Sequence, residues 1–213
     1  EMRNSKPGFK RWRKADFPIV ALCRFQAEQL KKKQVEPTHI IPWGVEKTRS
    51  ASKSNDLICV GSLIPLKNIR YFVDLCAQLE KTTPELSACI VGTGPQSSVL
   101  QQRINELGLT DKVRLMGELP YEQTQELIAK SRILVHPSQF EGFGMTIIEA
   151  IAAGTHVLAT PVGIAKELEI PHLTEDLAID SAMLQMQLKS PLPEPVLHDI
   201  KASVQAYFQI YGF

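Results

Sequence analysis

The sequence predicts an α/β fold with a doubly wound, mostly parallel β-sheet. Apolar runs of strand length alternate along the chain with amphipathic segments of helix length. Loops that contain glycine follow most of these apolar runs. Such alternation joins parallel strands through helical crossovers, and sheets of this kind bind ligands outside the carboxyl ends of their strands. The glycine loops therefore mark the edge of the sheet where a binding site is expected.

The predicted elements follow one another in a regular order. Strands are predicted at residues 57–61, 88–92, 113–116, 132–135 and 156–160. The first helix of the sheet region carries apolar side chains at helical spacing on one face, namely Ile69, Phe72, Val73, Cys76 and Leu79. Further helices are predicted at residues 97–107, 122–130 and 145–153. Gly108 and Gly154 are the C-terminal stops of the first and last of these three.

Two glutamates flank a glycine-aromatic-glycine turn in the loop before the last of these helices. Gly142 and Gly144 let the backbone approach a ligand, and the first N–H groups of the helix at Met145 favour an anion there. Glu141 lies in the loop, whereas Glu149 lies about one turn into the helix. Carboxylates bind paired hydroxyl groups well, and both ribose and hexose offer such pairs. Alone, either glutamate equally suits a solvated surface, but together they predict an elongated ligand with a phosphate.

This region resembles the retaining, nucleotide-sugar-dependent glycosyltransferases of family 4, which have the GT-B fold. The resemblance rests on His136-Pro-Ser, on Glu141 and Glu149 with seven residues between them, and on the alanine-rich helix that stops at Gly154. It implies that the chain contains the Rossmann-like, C-terminal half of a GT-B fold. It also implies that Glu149 binds the ribose and that Glu141 lies beside the transferred sugar. The diphosphate and sugar would be held by Phe143, Gly144, Met145 and Thr146.

Lys67 is the candidate phosphate cation, because it follows the first strand within a short loop and carries a flexible point charge. A surface lysine is the alternative. Many family members carry an arginine directly after the glycine of this strand, whereas here Gly61 is followed by Ser62. Relatives also often have two adjacent glycines further on, where this chain has Gly163 and Ile164. We therefore expect the diphosphate to depend on Lys67 and the helix N–H groups.

The resemblance assigns the nucleobase to the loops after the second and third strands. The expected neighbours of the base are Gly92, Gly94, Met116 and Gly117. Ordinary turn glycines are an equally good interpretation. A dinucleotide fingerprint is excluded, because position 97 is Ser97 instead of the third glycine and no acidic residue is clearly placed for a ribose.

Three regions are expected along the chain. By the resemblance, residues 1–50 are the tail of an N-terminal domain with the interdomain linker, and residues 51–195 are the nucleotide-sugar-binding domain. Residues 196–213 form a last helix that packs back toward the N-terminal domain, with one apolar face. This face carries Val196, Ile200, Val204, Tyr207, Phe208 and Tyr211. The family strand and helix after the site look shortened between residues 168 and 195.

The rest of the N-terminal domain, which supplies much of the acceptor site in the family, is an expected partner outside these 213 residues. We therefore expect the chain alone to bind donor and to transfer little or none. Its last helix would then expose apolar surface and favour self-association.

Composition limits the other partners. Hydrophobic residues make up 44% of the chain and no apolar run reaches the roughly 18 residues of a membrane span. The four cysteines lack metal-ligand spacing, which favours core thiols in the cytoplasm. Residues 1–33 hold ten Lys/Arg against three Asp/Glu, including Lys10, Arg11, Arg13 and Lys14. A solvated face or peripheral contact with an inner membrane face explains them better than nucleic acid, for which no module is present.

The sequence thus predicts the donor-binding part of a retaining glycosyltransferase. It would transfer a hexosyl group from a UDP- or GDP-sugar to a hydroxyl group of a glycan or lipid-linked acceptor, without a metal. Glu141 and Lys67 are the expected catalytic residues. The alternatives are a noncatalytic nucleotide-sugar-binding module and another GT-B enzyme, such as a nucleotide-sugar epimerase or a sugar phosphorylase. A glycoside hydrolase is disfavoured, because Glu149 is expected at the ribose, too far from the reacting bond.

Overall fold

The computed structural model describes residues 16–46, 51–196 and 199–211. Its strands are β1 (Val20–Ala21), β2 (His39–Ile40), β3 (Asn55–Val60), β4 (Ala88–Val91), β5 (Val113–Gly117), β6 (Ser131–His136) and β7 (His156–Ala159). Its α-helices are α1 (Arg24–Lys32), α2 (Ile69–Glu80), α3 (Ser97–Glu106), α4 (Tyr121–Lys130), α5 (Met145–Ala152), α6 (Leu177–Lys189) and α7 (Ile200–Tyr211). Short 3-10 turns cover Pro65–Lys67 and Gly163–Glu167.

Within the described residues, β3 to β7 form a five-stranded sheet in the order β5-β4-β3-β6-β7. Each pair of neighbouring strands is parallel, which confirms the predicted fold class. The chain runs outward from β3 through β4 to β5, and then returns to the other side of β3 with β6. The strand order therefore reverses between β3 and β6. Open α/β sheets bind ligands in the crevice at such a switch point.

Two apolar layers cover the faces of this sheet. On one side, the predicted apolar face of α2 is buried, with the side chains of all five predicted residues at most 1% exposed. On the other side, α5 buries Ile147, Ile148 and Ala150 against β6 and β7. Burial of apolar surface contributes a free energy on the order of 25 cal/mol per Å². These two layers are therefore the main source of stability.

The observed bounds differ from the predicted ones by one or two residues. Strand β3, for example, begins at Asn55 instead of Leu57. Asn55 pairs with Ser131, and Asp56 N donates to Ser87 O at 2.9 Å. Polar residues can join a ladder through their backbone alone, and a hydrophobic pattern does not detect them.

The region after the site was expected to look shortened relative to the family, and this comparison stays a prediction. Strand pairing there is reduced to one bridge between Ala159 and His172, but α6 extends over 13 residues. Asp176 caps α6 by accepting from two of its first N–H groups, and the buried Asp180 accepts from the hydroxyl group of Tyr71 at 2.5 Å. Asp176 thus stabilises the start of α6, and Asp180 fixes the helix against α2. Hydrophobic periodicity is weak along α6, so that a hydrophobic pattern alone does not give its bounds.

Helix α7 lies against the segment that follows β2. Ser203 Oγ donates to Pro42 O at 2.7 Å, and a Cβ atom on Gly44 would lie 2.2 Å from Ile200 Cα. Val196 precedes this helix instead of belonging to it, and its side chain is 61% exposed. The expected basic residues from Lys10 to Lys14 and the side chain of Tyr211 lie outside the described residues. None of the helices in the described part of the chain combines the length and the hydrophobicity needed to cross a membrane.

Candidate functional site

A cleft of about 380 Å³ opens at the carboxyl ends of β3 and β6, which is the switch point of the sheet. Eight of the residues predicted to form the site line it, namely Gly61, Ser62, Lys67, Glu141, Phe143, Gly144, Met145 and Thr146. Its other lining residues are Leu22, Gln26, Trp43, Val60, His136 and Gly142. The predicted catalytic pair and the predicted turn therefore share one crevice.

Lys67 ends the 3-10 turn that follows β3, and its side chain crosses the cleft to form an ion pair with Glu141. The stem of Lys67 lies over Gly61, where an added Cβ atom would come within 3.6 Å of it. The two charged side chains are 22% and 12% exposed. Lys67 thus lines the cleft and is not an unpaired, fully exposed lysine.

Glu141 has a second partner in His136, whose Nε2 lies 2.9 Å from a carboxylate oxygen of Glu141. Burial acts to raise the pKa of the Glu141 carboxyl. The hydrogen bonds and charges of His136 and Lys67 outweigh this effect and lower the pKa to about 2. Glu141 is therefore ionised throughout the physiological range and faces the cleft as a fixed negative charge.

The turn after Glu141 places the N-terminal end of helix α5 in the lining of the cleft. Gly144 adopts a left-handed conformation with φ 103°, and no described side chain caps the helix that follows. The first N–H groups of α5 are consequently available to an anion. Phe143 buries its ring, while its carbonyl accepts from Ile164 N at 2.7 Å.

Gly163 supports this turn from the other side. It has φ 57°, and an added Cβ atom would lie only 2.3 Å from Phe143 O. The single glycine at this position therefore provides the tight approach on which the turn depends.

Glu149 does not line the cleft. It lies in the second turn of α5, is 6% exposed and faces Tyr121 and Gln125 on α4. Burial raises the pKa of the Glu149 carboxyl, and the neighbouring Gln125 and Tyr121 side chains only partly oppose it. The amide Nε2 of Gln125 is buried without a well-directed hydrogen-bond partner. The two predicted glutamates therefore occupy separate environments.

The expected neighbours of the base also lie outside the cleft. Gly92 has φ 137° and an added Cβ atom there would lie 2.0 Å from Gly61 O, while at Gly94 it would lie 2.5 Å from Leu63 O. These glycines are needed for close packing of two loops, whatever else they contact. Met116 is 36% exposed, and the space around Gly117 is open. Contact between these four residues and a base stays a prediction.

Comparison with known proteins identifies the family. Residues 45–181 match the family model described as glycosyl transferases group 1. The chain belongs to the group 1 glycosyltransferase family. The gpi3 subunit of the phosphatidylinositol N-acetylglucosaminyltransferase from Schizosaccharomyces pombe is 27% identical over 145 residues, which cover 68% of this chain and 32% of that protein. The lipopolysaccharide core mannosyltransferase LpsB from Rhizobium meliloti is 34% identical over 115 residues, or 52% and 32% of the two chains. The chain thus spans about a third of the length of these curated relatives.

Solved glycosyltransferases with the GT-B fold share its architecture. TarM, from S. aureus, superimposes with a TM-score of 0.77 at 14% identity, covering 96% of this chain and 45% of TarM. HepE from Anabaena, in a complex with UDP-glucose, superimposes with a TM-score of 0.74 at 20% identity, covering 85% of this chain and 56% of HepE. These likenesses confirm the predicted Rossmann-like half of a GT-B fold.

Several lining residues of this group 1 glycosyltransferase were not predicted as site residues. His136 is the last residue of β6, and the rule that ligands bind at the carboxyl ends of strands could have selected it. Leu22, Gln26 and Trp43 come from the segment before the sheet. Helix α1 is held there by Glu167, which accepts from Phe25 N at 3.0 Å. No local pattern in that segment signals a contact more than a hundred residues away.

Proposed function

We propose that the cleft binds a nucleoside diphosphate sugar and forms the donor side of a retaining hexosyltransferase. The observation that carries this proposal is the meeting of Lys67, Glu141 and the uncapped start of α5 in one crevice. A cation and free backbone N–H groups suit a diphosphate, and a fixed carboxylate suits the hydroxyl groups of a sugar. Membership of the group 1 glycosyltransferases is consistent with this arrangement.

The reaction breaks the bond between the anomeric carbon and the oxygen of the terminal phosphate. The electron pair of that bond leaves with the nucleoside diphosphate. The acceptor hydroxyl oxygen forms the new bond to the anomeric carbon and transfers its proton to the oxygen of the departing diphosphate, so that atoms and charge balance. Lys67 and the first N–H groups of α5 stabilise the negative charge that grows on the diphosphate.

Glu141 stabilises the positive charge that develops near the anomeric carbon in the transition state. Its pKa of about 2 keeps it ionised for this role. The same property makes it unsuited to act as a general acid, which has to hold a proton near neutral pH. Retention of configuration would place the acceptor on the same face of the sugar as the leaving diphosphate. A product of inverted configuration from the complete protein would contradict the retaining assignment.

Glu149 is proposed to bind the ribose of a UDP- or GDP-sugar. Its position one turn into α5 separates it from the cleft and favours the nucleoside end of the ligand. Gly92, Gly94, Met116 and Gly117 would then surround the base. The acceptor, a glycan or lipid-linked hydroxyl compound, would bind between this cleft and a further domain. Contact with the cytoplasmic face of a membrane is proposed on the basic N-terminal residues.

Ser62 favours a second candidate function, a nucleotide-sugar-binding module without catalysis. It stands beside Gly61 in the cleft, at the position where many family members carry an arginine. The missing cation would otherwise help to stabilise the negative charge on the leaving diphosphate. A complete protein that binds a nucleotide sugar but transfers no sugar to any acceptor would favour this alternative.

Isothermal titration calorimetry with UDP-, GDP- and ADP-sugars tests the donor site. We expect Lys67→Ala to weaken binding at least about tenfold, or about 1.4 kcal/mol. Lys112→Ala is the matched control, because Lys112 also forms an ion pair, with Glu80, but lies outside the cleft. Equal affinities of wild type and Lys67→Ala, or equal losses in both variants, would contradict the role of Lys67.

A further inference from the structure

Residues from the segment before the sheet complete the lining of the cleft. They are Leu22, Gln26 and Trp43, and all three are uncharged. The diphosphate is expected elsewhere in the cleft, at Lys67 and the start of α5. The cleft therefore combines a part that suits phosphate with an uncharged part that contains an aromatic ring. Ligand sites commonly hold the apolar face of a ligand with aromatic side chains and orient it with a few polar groups.

Trp43 presents an indole ring to the cleft from a backbone that is held in place. The residue is 47% exposed although it lines the cleft. Its neighbours in sequence are both held by α7. Pro42 O accepts from Ser203 Oγ at 2.7 Å, and Gly44 leaves no room for a Cβ atom beside Ile200. A large aromatic surface on a fixed support loses little freedom when a ligand packs against it.

Gln26 provides a hydrogen-bond donor close to Glu141. Its Oε1 accepts from Leu22 N at 2.6 Å. Because a backbone N–H can only donate, this contact assigns the amide oxygen and leaves the NH2 group on the other side. Nε2 lies 3.7 Å from the position that a Cβ atom on Gly142 would take, next to Glu141 in sequence. An amide donor and a carboxylate acceptor together match hydroxyl groups, which both accept and donate.

The segment that carries Gln26 is docked on the turn that carries Glu141. Cys23 Sγ donates to Gly142 O at 3.6 Å, across 119 residues of sequence. The ring of Phe25 lies 6.0 Å from the ring of Phe140, between centroids. The position of Gln26 beside Glu141 is therefore set by tertiary contacts of the described residues.

We propose that Trp43 and Gln26 recognise the transferred sugar of the donor. The inference rests on the proposed function, because the sugar reaches them only when the diphosphate binds at Lys67 and the start of α5. The indole ring packs against the C–H face of a pyranose ring, and Gln26 Nε2 donates to a hydroxyl group on the side of Glu141. The two residues thereby determine which sugar is accepted.

A purely structural role for Trp43 makes a different prediction. If the ring only anchors its segment on α7, its removal changes the affinities for nucleoside diphosphate and for nucleotide sugar by the same factor. The decisive quantity is therefore the ratio of the dissociation constant of the nucleoside diphosphate to that of the nucleotide sugar. This ratio reports the contacts of the sugar, since the rest of the ligand is common to both.

Calorimetry of the 213-residue chain with UDP and UDP-glucose, and with GDP and GDP-mannose, measures this ratio. For the pair that binds more tightly, Trp43→Ala should lower the ratio about tenfold. Trp43→Phe keeps an aromatic ring and should restore it to within about threefold of wild type. Phe17→Ala is the matched control, because Phe17 is also an exposed aromatic residue before the sheet but does not line the cleft.

Gln26→Glu tests the amide donor separately. The new carboxylate still accepts from Leu22 N, so that the local structure is kept, but it cannot donate to a sugar hydroxyl group. We expect the ratio to fall about three- to tenfold. The added negative charge acts on the diphosphate of both ligands, and its effect cancels in the ratio.

The fluorescence of Trp43 gives an independent readout that keeps its side chain intact. The chain has two tryptophans, so that Trp12→Phe leaves Trp43 as the single indole. Packing of a sugar on the ring should change its emission. We expect a larger change with the nucleotide sugar than with the nucleoside diphosphate, and none with the methyl glycoside of the same sugar, which lacks the diphosphate.

An unchanged ratio in Trp43→Ala would overturn the inference and leave the donor site in place. A change of emission with the methyl glycoside but not with the nucleotide sugar would also overturn it, because the ring would then bind an acceptor sugar. Absence of binding by UDP, GDP and both nucleotide sugars to wild type would instead overturn the proposed function, and the inference with it.

Discussion

Glu141 and Glu149 are the same residue type in opposite electrostatic environments. Glu141 is surrounded by His136 and Lys67, and its pKa is lowered to about 2. Glu149 has neutral neighbours, and burial raises its pKa. Glu141 is held charged by its neighbours, whereas the neighbours of Glu149 only partly offset its burial. The difference is consistent with the proposed division, in which Glu141 acts electrostatically beside the sugar and Glu149 binds the ribose.

The largest effect that tests this comparison is expected at Glu149. Glu149→Ala should weaken binding of UDP or GDP roughly 10- to 100-fold, because charge-assisted hydrogen bonds to a ribose are worth roughly 1.5 to 3 kcal/mol. Glu126→Ala is the control, since Glu126 pairs with Lys130 on the exposed side of α4. An unchanged affinity of Glu149→Ala for the nucleoside diphosphate would contradict the proposed binding of the ribose by Glu149.

A smaller effect is expected at Glu141, a change of about tenfold in the discrimination between sugars. Glu141→Ala should leave the affinity for the nucleoside diphosphate within about threefold of wild type and remove the preference for one sugar over another. Competition titrations with UDP, UDP-glucose and UDP-galactose measure both quantities. If this variant and Glu149→Ala lose affinity for UDP equally, the proposed division between the two glutamates is wrong.

The contributions of Glu141 and Glu149 to the free energy of unfolding should depend on pH in opposite directions. For Glu141, a folded pKa of about 2 against the ordinary 4.5 gives stability that is present above pH 4.5 and is lost as pH falls toward 2. For Glu149, the raised pKa gives stability that is present below the ordinary 4.5 and is lost as pH rises through the folded value.

Urea denaturation of Glu141→Gln and Glu149→Gln between pH 3 and 7 measures this difference. We expect Glu141→Gln to lose on the order of 1 to 2 kcal/mol at pH 7 and to flatten the acid limb. Glu149→Gln should lose less than Glu141→Gln at pH 7 or gain stability. Parallel pH profiles for the two variants would contradict the contrast between the environments.

The smallest effect is expected at Tyr121, whose hydroxyl group points toward Glu149. Tyr121→Phe should change the affinity for UDP by only about two- to fivefold, since a single exposed hydrogen bond is worth about 0.5 to 1 kcal/mol. Tyr71→Phe alters a tyrosine that bonds to a carboxylate elsewhere, Asp180, and should leave UDP binding unchanged. A loss above about 30-fold in Tyr121→Phe would show that the tyrosine itself is a main ligand contact.

The sheet and the cleft could be predicted from the sequence because they depend on local patterns. The face of α2, the stop at Gly154 and the turn before α5 each follow from periodicity or from glycine within a few residues. The partners of Glu141 could not be predicted in this way. Lys67 lies 74 residues before it in sequence, and only the parallel pairing of β3 with β6 brings the two loops together.

Contacts between distant segments also lie behind features that a local pattern does not show. Contact of Gly92 and Gly94 with a base stays a prediction, and the structure adds that an added Cβ atom at these positions would meet backbone atoms of Gly61 and Leu63. Helix α6 lacks a clear apolar stripe, and the buried Asp180 that fixes it to α2 reads as a surface residue in the sequence. Contacts between distant segments determine both outcomes.

The central claim is the proposed orientation of the donor, from Glu149 outside the cleft, along the start of α5, to Glu141 in the cleft. A crystal structure of the chain with UDP-glucose or GDP-mannose, whichever binds more tightly, tests it most directly. We expect the diphosphate within hydrogen-bond distance of Met145 N and Lys67 Nζ, the ribose at Glu149 and the sugar at Glu141. A diphosphate bound away from the turn at residues 144–146, or a ligand in the reverse orientation, would contradict the account.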